Sequence, residues 1–242
     1  MPNDLAKQFA PTGPFRVAIN YGNTVLAQRD PAGSDEPRGV TGDLARELSS
    51  RLGLQPTFIG FDAAGAVSEA MARGELDVLF LAVDPVRAAD IDFTAPYVLI
   101  EGGYLVRNDS PLKSIEDVDK AGIRIATAKA SAYDLYLARA LKHATRVHDA
   151  TGEASAQRFL DEKLDVLAGV KTPLLRYAAQ HPGYRVMEGR FMAIEQAMGI
   201  ARGRPQAFDY LRKFVEEMKA SGFVAAALHK SGQVDAKVAP PA

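Results

Sequence analysis

The 242-residue chain contains no cysteine. Disulfide frameworks, thiolate nucleophiles, cysteine-ligated zinc and iron–sulfur clusters are thereby excluded. The absence suits an oxidising compartment without fixing one. A charge excess of one sign is also missing. The 29 Lys and Arg face 30 Asp and Glu, a formal net charge of −1, so a bulk electrostatic nucleic-acid binder is not expected. No run approaches the ~18–20 apolar residues that span a bilayer, so no membrane span is expected. The opening stretch, Met1 to Gln8, is polar and carries no apolar core of a secretory signal. Two readings stay open: a cytoplasmic protein, or an exported one whose signal has been removed. Enzyme signatures are scarce too. There is no P-loop, no G-x-G-x-x-G and no G-x-S-x-G. His143, His148, His181 and His229 lack metal-ligand spacing and are expected to be solvated. Ser110-Pro111-Leu112-Lys113 fits S-x-x-K, but Pro111 and the loop composition make it a chance match. No metal and no cofactor are expected.

What is present is an ordinary globular balance, 47% apolar and 24% charged residues. Strand and helix patterns alternate. Phe15–Asn20 reads as a buried strand. Leu44, Ala45, Leu48 and Leu52 mark a helix stopped by Gly53, Thr57–Ile59 a strand, Ala63–Arg73 a helix stopped by Gly74, and Leu76–Leu81 a strand buried on both faces. Between the first strand and helix lies a polar loop, Gln28 to Arg38, rich in Pro, Gly and Asp. Asp92–Arg107 is extended, with Pro96 and Gly102-Gly103, and reads as a flexible crossover. A second series then follows, with strands at Ile123–Thr127, Thr145–Val147, Leu164–Ala168 and Tyr184–Met187. Its helices are Ser131–Leu141, Gly152–Glu162 and Pro173–Gln180. Arg190–Ala201 reads as a return crossover, followed by helices at Pro205–Ala220 and Phe223–His229 and a frayed tail ending Pro240-Pro241-Ala242. The expected fold is α/β, with two Rossmann-like lobes joined by two extended crossovers. Lobe 1 would comprise 1–99 and 195–242, and lobe 2 would comprise 100–194. Such crossovers form a hinge, and the cleft between the lobes is a preferred ligand site. The same pattern also fits a single doubly wound sheet with ordinary surface loops.

Ligands gather beyond the C-terminal ends of parallel strands. Three junctions there share one design: a cap, then a helix start, with a cation nearby. These are Asp84-Pro85-Val86-Arg87, Lys129-Ala130-Ser131-Ala132-Tyr133-Asp134 and Lys171-Thr172-Pro173. Helix N-termini favour anions, and the planar fork of Arg suits a carboxylate. Arg87, Lys129 and Lys171 therefore point to a small carboxylated solute. The competing reading is that the caps are only caps and the cations are solvated.

The run Arg87-Ala88-Ala89-Asp90-Ile91-Asp92-Phe93-Thr94-Ala95-Pro96-Tyr97 resembles the R-x-x-x-x-x-F-[ST]-x-P-Y segment of type II solute-binding proteins. These are the extracytoplasmic receptors of polar amino acid ABC transporters. Gly42-Asp43-Leu44-Ala45, Leu52-Gly53, Gly74-Glu75-Leu76-Asp77-Val78, Ser114-Ile115-Glu116-Asp117-Val118 and Ala220-Ser221-Gly222-Phe223 match in the same order, so the resemblance runs from about Phe15 to His229. It implies a periplasmic-binding-protein type II fold whose lobes close over one small molecule. It also implies an ABC permease as partner, a monomer, and a periplasmic location if a signal has been removed. It assigns the ligand carboxylate to Arg87 and to the backbone amides of Ser131 and Ala132, where Ala130-Ser131-Ala132 replaces a Gly-Thr-Gly-like turn. Tyr21 and Phe61 are candidates for the aromatic wall.

Three positions depart from the family pattern. Ala82 stands where a Thr is common, Lys171 where an Asp pairs with the ligand ammonium, and Asn20 where strand one carries an acid. Glu101 or Glu195 would have to replace the missing anions; otherwise the ligand is not an ordinary α-amino acid. An alternative is a cyclohexadienyl dehydratase-like enzyme using Glu101 or Glu195 as a buried general acid of raised pKa. A further alternative is a cytoplasmic ligand sensor.

Overall fold

The computed structural model describes residues 3–242; Met1 and Pro2 of the polar opening stretch lie outside the described residues. The chain divides into two compact units, residues 1–99 with 195–242, and residues 100–194. In chain order the elements are α1 (Asn3–Phe9), β1 (Phe15–Asn20), α2 (Val40–Leu52), β2 (Pro56–Phe61), α3 (Ala64–Ala72), β3 (Val78–Ala82), β4 (Ile91–Phe93) and β5 (Val98–Arg107). Then come β6 (Arg124–Ala128), α4 (Ala132–Ala140), β7 (Thr145–Asp149), α5 (Gly152–Asp161), β8 (Val166–Val170), α6 (Lys171–Gln180) and β9 (Tyr184–Val186). The chain closes with β10 (Met192–Ala201), α7 (Pro205–Ala220), α8 (Phe223–Lys230) and β11 (Lys237–Val238).

In the first unit, β1 lies between β2 and β3 in parallel, with Phe15 opposite Pro56 and Val17 opposite Val78. β10 returns antiparallel on β3, with Gln196 opposite Ala82, and β4 adds to β10. Every residue of β3 is buried, as expected for a strand covered on both faces. Ala18, Val67, Leu76, Leu79, Leu81 and Ile91 form one core there. In the second unit, β6 pairs in parallel with β7 and β8, and β5 runs antiparallel to β8. Its core gathers around Val106, Ile125, Leu137 and Val166 on one side and Leu105, Phe159 and Leu164 on the other. The sheets are therefore mixed, because the extended stretches supply antiparallel strands.

Asp77 anchors the first unit. It is fully buried, and its carboxylate accepts bonds from the Arg16 backbone N–H (2.9 Å), Nε (2.9 Å) and Nη2 (2.9 Å), with Arg204 Nη1 at 3.4 Å. The residue just before β3 is thereby tied to β1 and to the start of α7.

Several expectations need correction. The tail is docked, not frayed. β11 pairs antiparallel with Val98 and Leu99, Ala239 is buried, and its N–H donates to Tyr97 O at 3.1 Å. Buried Lys219 holds it: Nζ donates to Pro240 O (2.9 Å) and Pro96 O (3.3 Å) and pairs with Glu216 (2.6 Å). No periodicity in a Pro-Ala segment announces such docking. α1 was not visible in the sequence either; it is pinned because Phe9 packs edge-on against Phe15 and Tyr210. After Asp84-Pro85 the chain forms only a 3-10 turn, Arg87–Ala89, and no α-helix. Gly102 and Gly103 serve close packing, not flexibility: a Cβ on Gly102 would lie 2.8 Å from Met192 Cγ and 2.9 Å from Phe191 Cζ.

Replacing Asp77 with Asn would strand the buried end of the Arg16 network. We expect a loss of about 3 kcal/mol in urea denaturation; an unchanged midpoint would show that the network contributes nothing. Lys219→Met should release the tail, seen as faster amide exchange at Ala239 with little change at Val17. Equal protection of Ala239 in both proteins would contradict the clamp.

Candidate functional site

Apart from Glu101, which lies inside the antiparallel β5, the candidate residues fall at or just beyond the C-terminal ends of the parallel strands in each unit. In the first unit β1 ends at Asn20, β2 at Phe61 and β3 at Ala82. Asn20 Oδ1 accepts the Gly22 N–H at 3.1 Å, which folds the chain sharply after β1. Tyr21 follows, its N–H bonded to Phe61 O at 2.8 Å and its ring lying under the Arg29 guanidinium at 4.1 Å. Gly60 lets that ring approach, since a Cβ there would meet Tyr21 Cε2 at 2.8 Å. Phe61 is partly buried and packs against the core of this unit.

Arg87 is the sharpest feature of the first unit. It is 4% exposed, and its Nη1 donates to Ala82 O at 2.8 Å. Asp84 builds the approach: its Oδ1 accepts the Val86 N–H (2.9 Å) and its carbonyl accepts the Ala88 N–H (2.9 Å). Burial pushes the Arg87 pKa down to about 10, and the nearby Asp84 charge opposes the shift. The guanidinium still carries its charge at neutral pH. The F-T-x-P-Y segment beyond it is locked in place. Thr94 Oγ1 accepts the Met198 N–H at 3.2 Å, and Tyr97 packs edge-on against Phe80.

In the second unit β6 leads through Lys129 into the cap of α4. Lys129 is exposed, and its N–H bonds Asp149 O at 2.8 Å. Ala130 adopts φ +57°, the left-handed region, which costs an L-residue roughly 1–2 kcal/mol. Ser131 caps the helix, accepting the Asp134 N–H at 3.1 Å. A capping box would return a bond from Asp134 to the Ser131 N–H; here it is displaced by one residue. Asp134 Oδ2 accepts from Ala130 N–H at 2.9 Å. The Ser131 N–H itself donates to Ala128 O at 3.1 Å, so the expected Ser131 amide is already engaged, while the Ala132 amide belongs to the first turn of α4, whose N–H groups have no intrahelical partner. The Tyr133 hydroxyl reaches the Ser131 side chain and the Ala128 backbone, and burial raises its pKa.

Lys171 opens α6 itself. The helix starts there, not at Pro173, with Val170 as N-cap and no side-chain cap, so Thr172 is inside the helix. Lys171 Nζ donates to Gly189 O (2.7 Å) and to Glu101 Oε2 (3.2 Å), and Arg190 Nη1 holds Glu101 Oε1 at 3.1 Å. Burial alone would raise the Glu101 carboxyl; the bond and charge of Lys171, with Arg190, outweigh it and hold the group below its ordinary range. Glu195 is exposed, and its carbonyl accepts the Val83 N–H at 2.9 Å. Glu101 is held ionised and Glu195 is not buried, so neither has the setting of a buried general acid.

Sequence reasoning missed three residue groups. Phe191 stacks on Tyr104 (centroids 4.4 Å apart) and leans on Tyr136. Arg190 joins Lys171 on Glu101. His148 is not merely solvated: Nε2 lies 2.9 Å from Asp134 Oδ1, beside Arg146 Nη1 at 2.6 Å from the same oxygen. The alternation of Arg146 and His148 on one strand face was the available signal. His181 also stacks, on Tyr177 at 3.9 Å. Among the described residues, no group of three His, Asp or Glu side chains is placed to hold a metal. Ser110 is a turn residue: its Oγ accepts the Leu112 N–H, and Lys113 Nζ donates to its carbonyl.

This arrangement can be set beside known proteins. No curated protein matches the chain by sequence. Among solved structures, the solute receptor for L-cysteine of Neisseria gonorrhoeae superposes with a TM-score of 0.80 at 19% identity, covering 94% of this chain and 92% of that one. A mutant of the ArgBP from T. maritima gives 0.79 at 16% identity, covering 94% and 99%. An ancestral amino acid-binding protein described as a precursor of cyclohexadienyl dehydratase gives 0.76 at 20% identity, covering 93% and 98%. At such identities these likenesses show the fold, that of type II periplasmic binding proteins. The family model of the bacterial extracellular solute-binding proteins, family 3, matches residues 16–233. With that match running from β1 to just past α8, the chain belongs to the bacterial extracellular solute-binding proteins of family 3.

Proposed function

We propose that this protein is an extracytoplasmic receptor for a small carboxylate-bearing solute, delivering it to an ABC permease as a monomer. Arg87 takes the carboxylate from the first unit. The Ser131 hydroxyl and the Ala132 amide take it from the second, so that binding favours a closed state in which both units engage one solute. The units 1–99 with 195–242 and 100–194 act as the two lobes. Asn20, Tyr21 and Phe61 shape the first-lobe wall, and Ala82 contributes its carbonyl as the seat of Arg87. Lys129 adds positive potential at the rim. Glu101 answers the missing ammonium anchors, but Lys171 and Arg190 largely neutralise it. Free amino acids therefore compete with simpler organic acids on nearly equal terms.

The observation that carries this reading is Arg87. Arg87 is 4% exposed in the turn beyond the end of a parallel strand, and its Nη1 donates to the Ala82 carbonyl. A charge kept out of water attracts an anion more strongly than a solvated one does, and Asp84 only partly offsets the cost of its burial. The dehydratase reading has no comparable support, because Glu101 is held ionised and Glu195 is exposed.

A thermal-shift screen of the amino acids, dicarboxylates and aromatic acids identifies the solute class. No stabilisation by any acid would defeat the receptor reading. With a binder in hand, Arg87→Met should weaken it by roughly ten- to a hundredfold, since charge-assisted hydrogen bonds contribute ~1.5–3 kcal/mol. Thermal unfolding should stay within about 3 °C or rise, because a desolvated cation has been removed. Unaltered affinity in calorimetry would take Arg87 out of the site. Lys171→Met should free Glu101 and shift preference toward ammonium-bearing acids over matched acids without the amino group. An identical ligand profile would show that the Lys171–Glu101 pair plays no part in selection.

A further inference from the structure

Asp134 sits on the third residue of α4, behind the turn to which carboxylate binding is assigned. It is 4% exposed. Its two oxygens divide the work. Oδ2 accepts from Ala130 N–H at 2.9 Å, which holds the one strained residue of the turn. Oδ1 faces β7, where Arg146 Nη1 lies at 2.6 Å and His148 Nε2 at 2.9 Å. Arg146 Nη1 also approaches the Asp134 carbonyl at 3.3 Å. The other charged group at this end of β7, Asp149, is turned to Arg158 at 3.5 Å, and its carbonyl holds Lys129 N–H.

Two physical consequences follow. An alanine in the left-handed region stays there only when its surroundings compel it. The Asp134 carboxylate supplies that compulsion, and the Ser131 cap closes the ring from the other side. A carboxylate two residues from an anion-binding amide should also repel the anion. Arg146 cancels that charge on the side away from the turn, so the first turn of α4 keeps its positive polarity.

We propose that Asp134, neutralised by Arg146 and seated against His148, is the positioning residue for carboxylate recognition in the second unit. It fixes Ala130 in its left-handed conformation and thereby sets the Ser131 hydroxyl and the Ala132 amide. This rests on the receptor reading above and adds to it the device that shapes the turn. Ala130 then carries a strain that glycine would not, so the turn depends on its clamp.

The test uses the full chain as wild type, Asp134→Ala, Ala130→Gly, the double variant and Arg146→Met. In the ligand-free protein, amide exchange at Ala130 should accelerate at least tenfold in Asp134→Ala. Exchange at Ala130 equal to wild type overturns the clamp. For binding, the probe is the tightest binder among the twenty amino acids, succinate and benzoate. Asp134→Ala should weaken it at least tenfold in the folded protein, and the double variant should recover at least threefold over Asp134→Ala, because glycine adopts the turn unaided. Arg146→Met should weaken it at least threefold through the uncovered carboxylate. A merely structural Asp134 would lower the unfolding temperature while affinity stayed at the wild-type value, or would give strictly additive effects with Ala130→Gly; either result overturns the proposal. If wild type binds no probe, the receptor reading falls and takes the recognition role with it, while the exchange result separately reports whether Asp134 holds the turn.

Discussion

A guanidinium taken out of water sets the terms for the first unit. Arg87 reaches its place because Asp84 folds the chain after β3 and because the Ala82 carbonyl is there to receive Nη1. Desolvation works against its charge. A fold optimised for stability alone would place an apolar residue there. The surrounding structure over-determines the position. Thr94 and Tyr97 fix the following segment onto β10, and the C-terminal strand with Lys219 braces the start of β5. Rigidity around Arg87 is what makes its charge available in a fixed direction, and a fixed charge recognises an acid with less ordering cost than a mobile one.

The second unit solves the opposite problem. It carries acids close to helix starts, where bare negative charge would cancel the positive polarity of the helix end. Each is paired with cations. Glu101 lies between Lys171 and Arg190, and Asp134 faces Arg146. The glycines of β5 belong to the same design, because they let Phe191 and Lys171 lie directly against the strand.

Much of this was legible in the sequence, for identifiable reasons. Helix ends were readable where backbone chemistry demands a residue: Gly53 takes φ +66° at the end of α2, and Ser131 caps α4. Continuous apolar runs gave β1 and β3. The ordered motifs from Arg87 to Tyr97 and from Gly74 to Val78 pointed to the family, and the fold followed. What escaped was set by long-range contact. Lys171 reads as a free cation until β5 brings Glu101 to it across 70 positions. Thr172-Pro173 reads as a cap until the helix begins two residues earlier. The tail has no periodicity, yet one lysine and one strand edge dock it. Asp134 stands three residues after Ser131, the spacing of a capping box, but its bond to Ala130 depends on the left-handed turn that the alanine itself does not favour.

The most direct measurement is a crystal structure of the protein with the tightest acid from the ligand screen. The account predicts the carboxylate within about 3 Å of the Arg87 guanidinium and of the Ala132 amide, with Ala130 still left-handed. A bound acid that contacts neither group would contradict it.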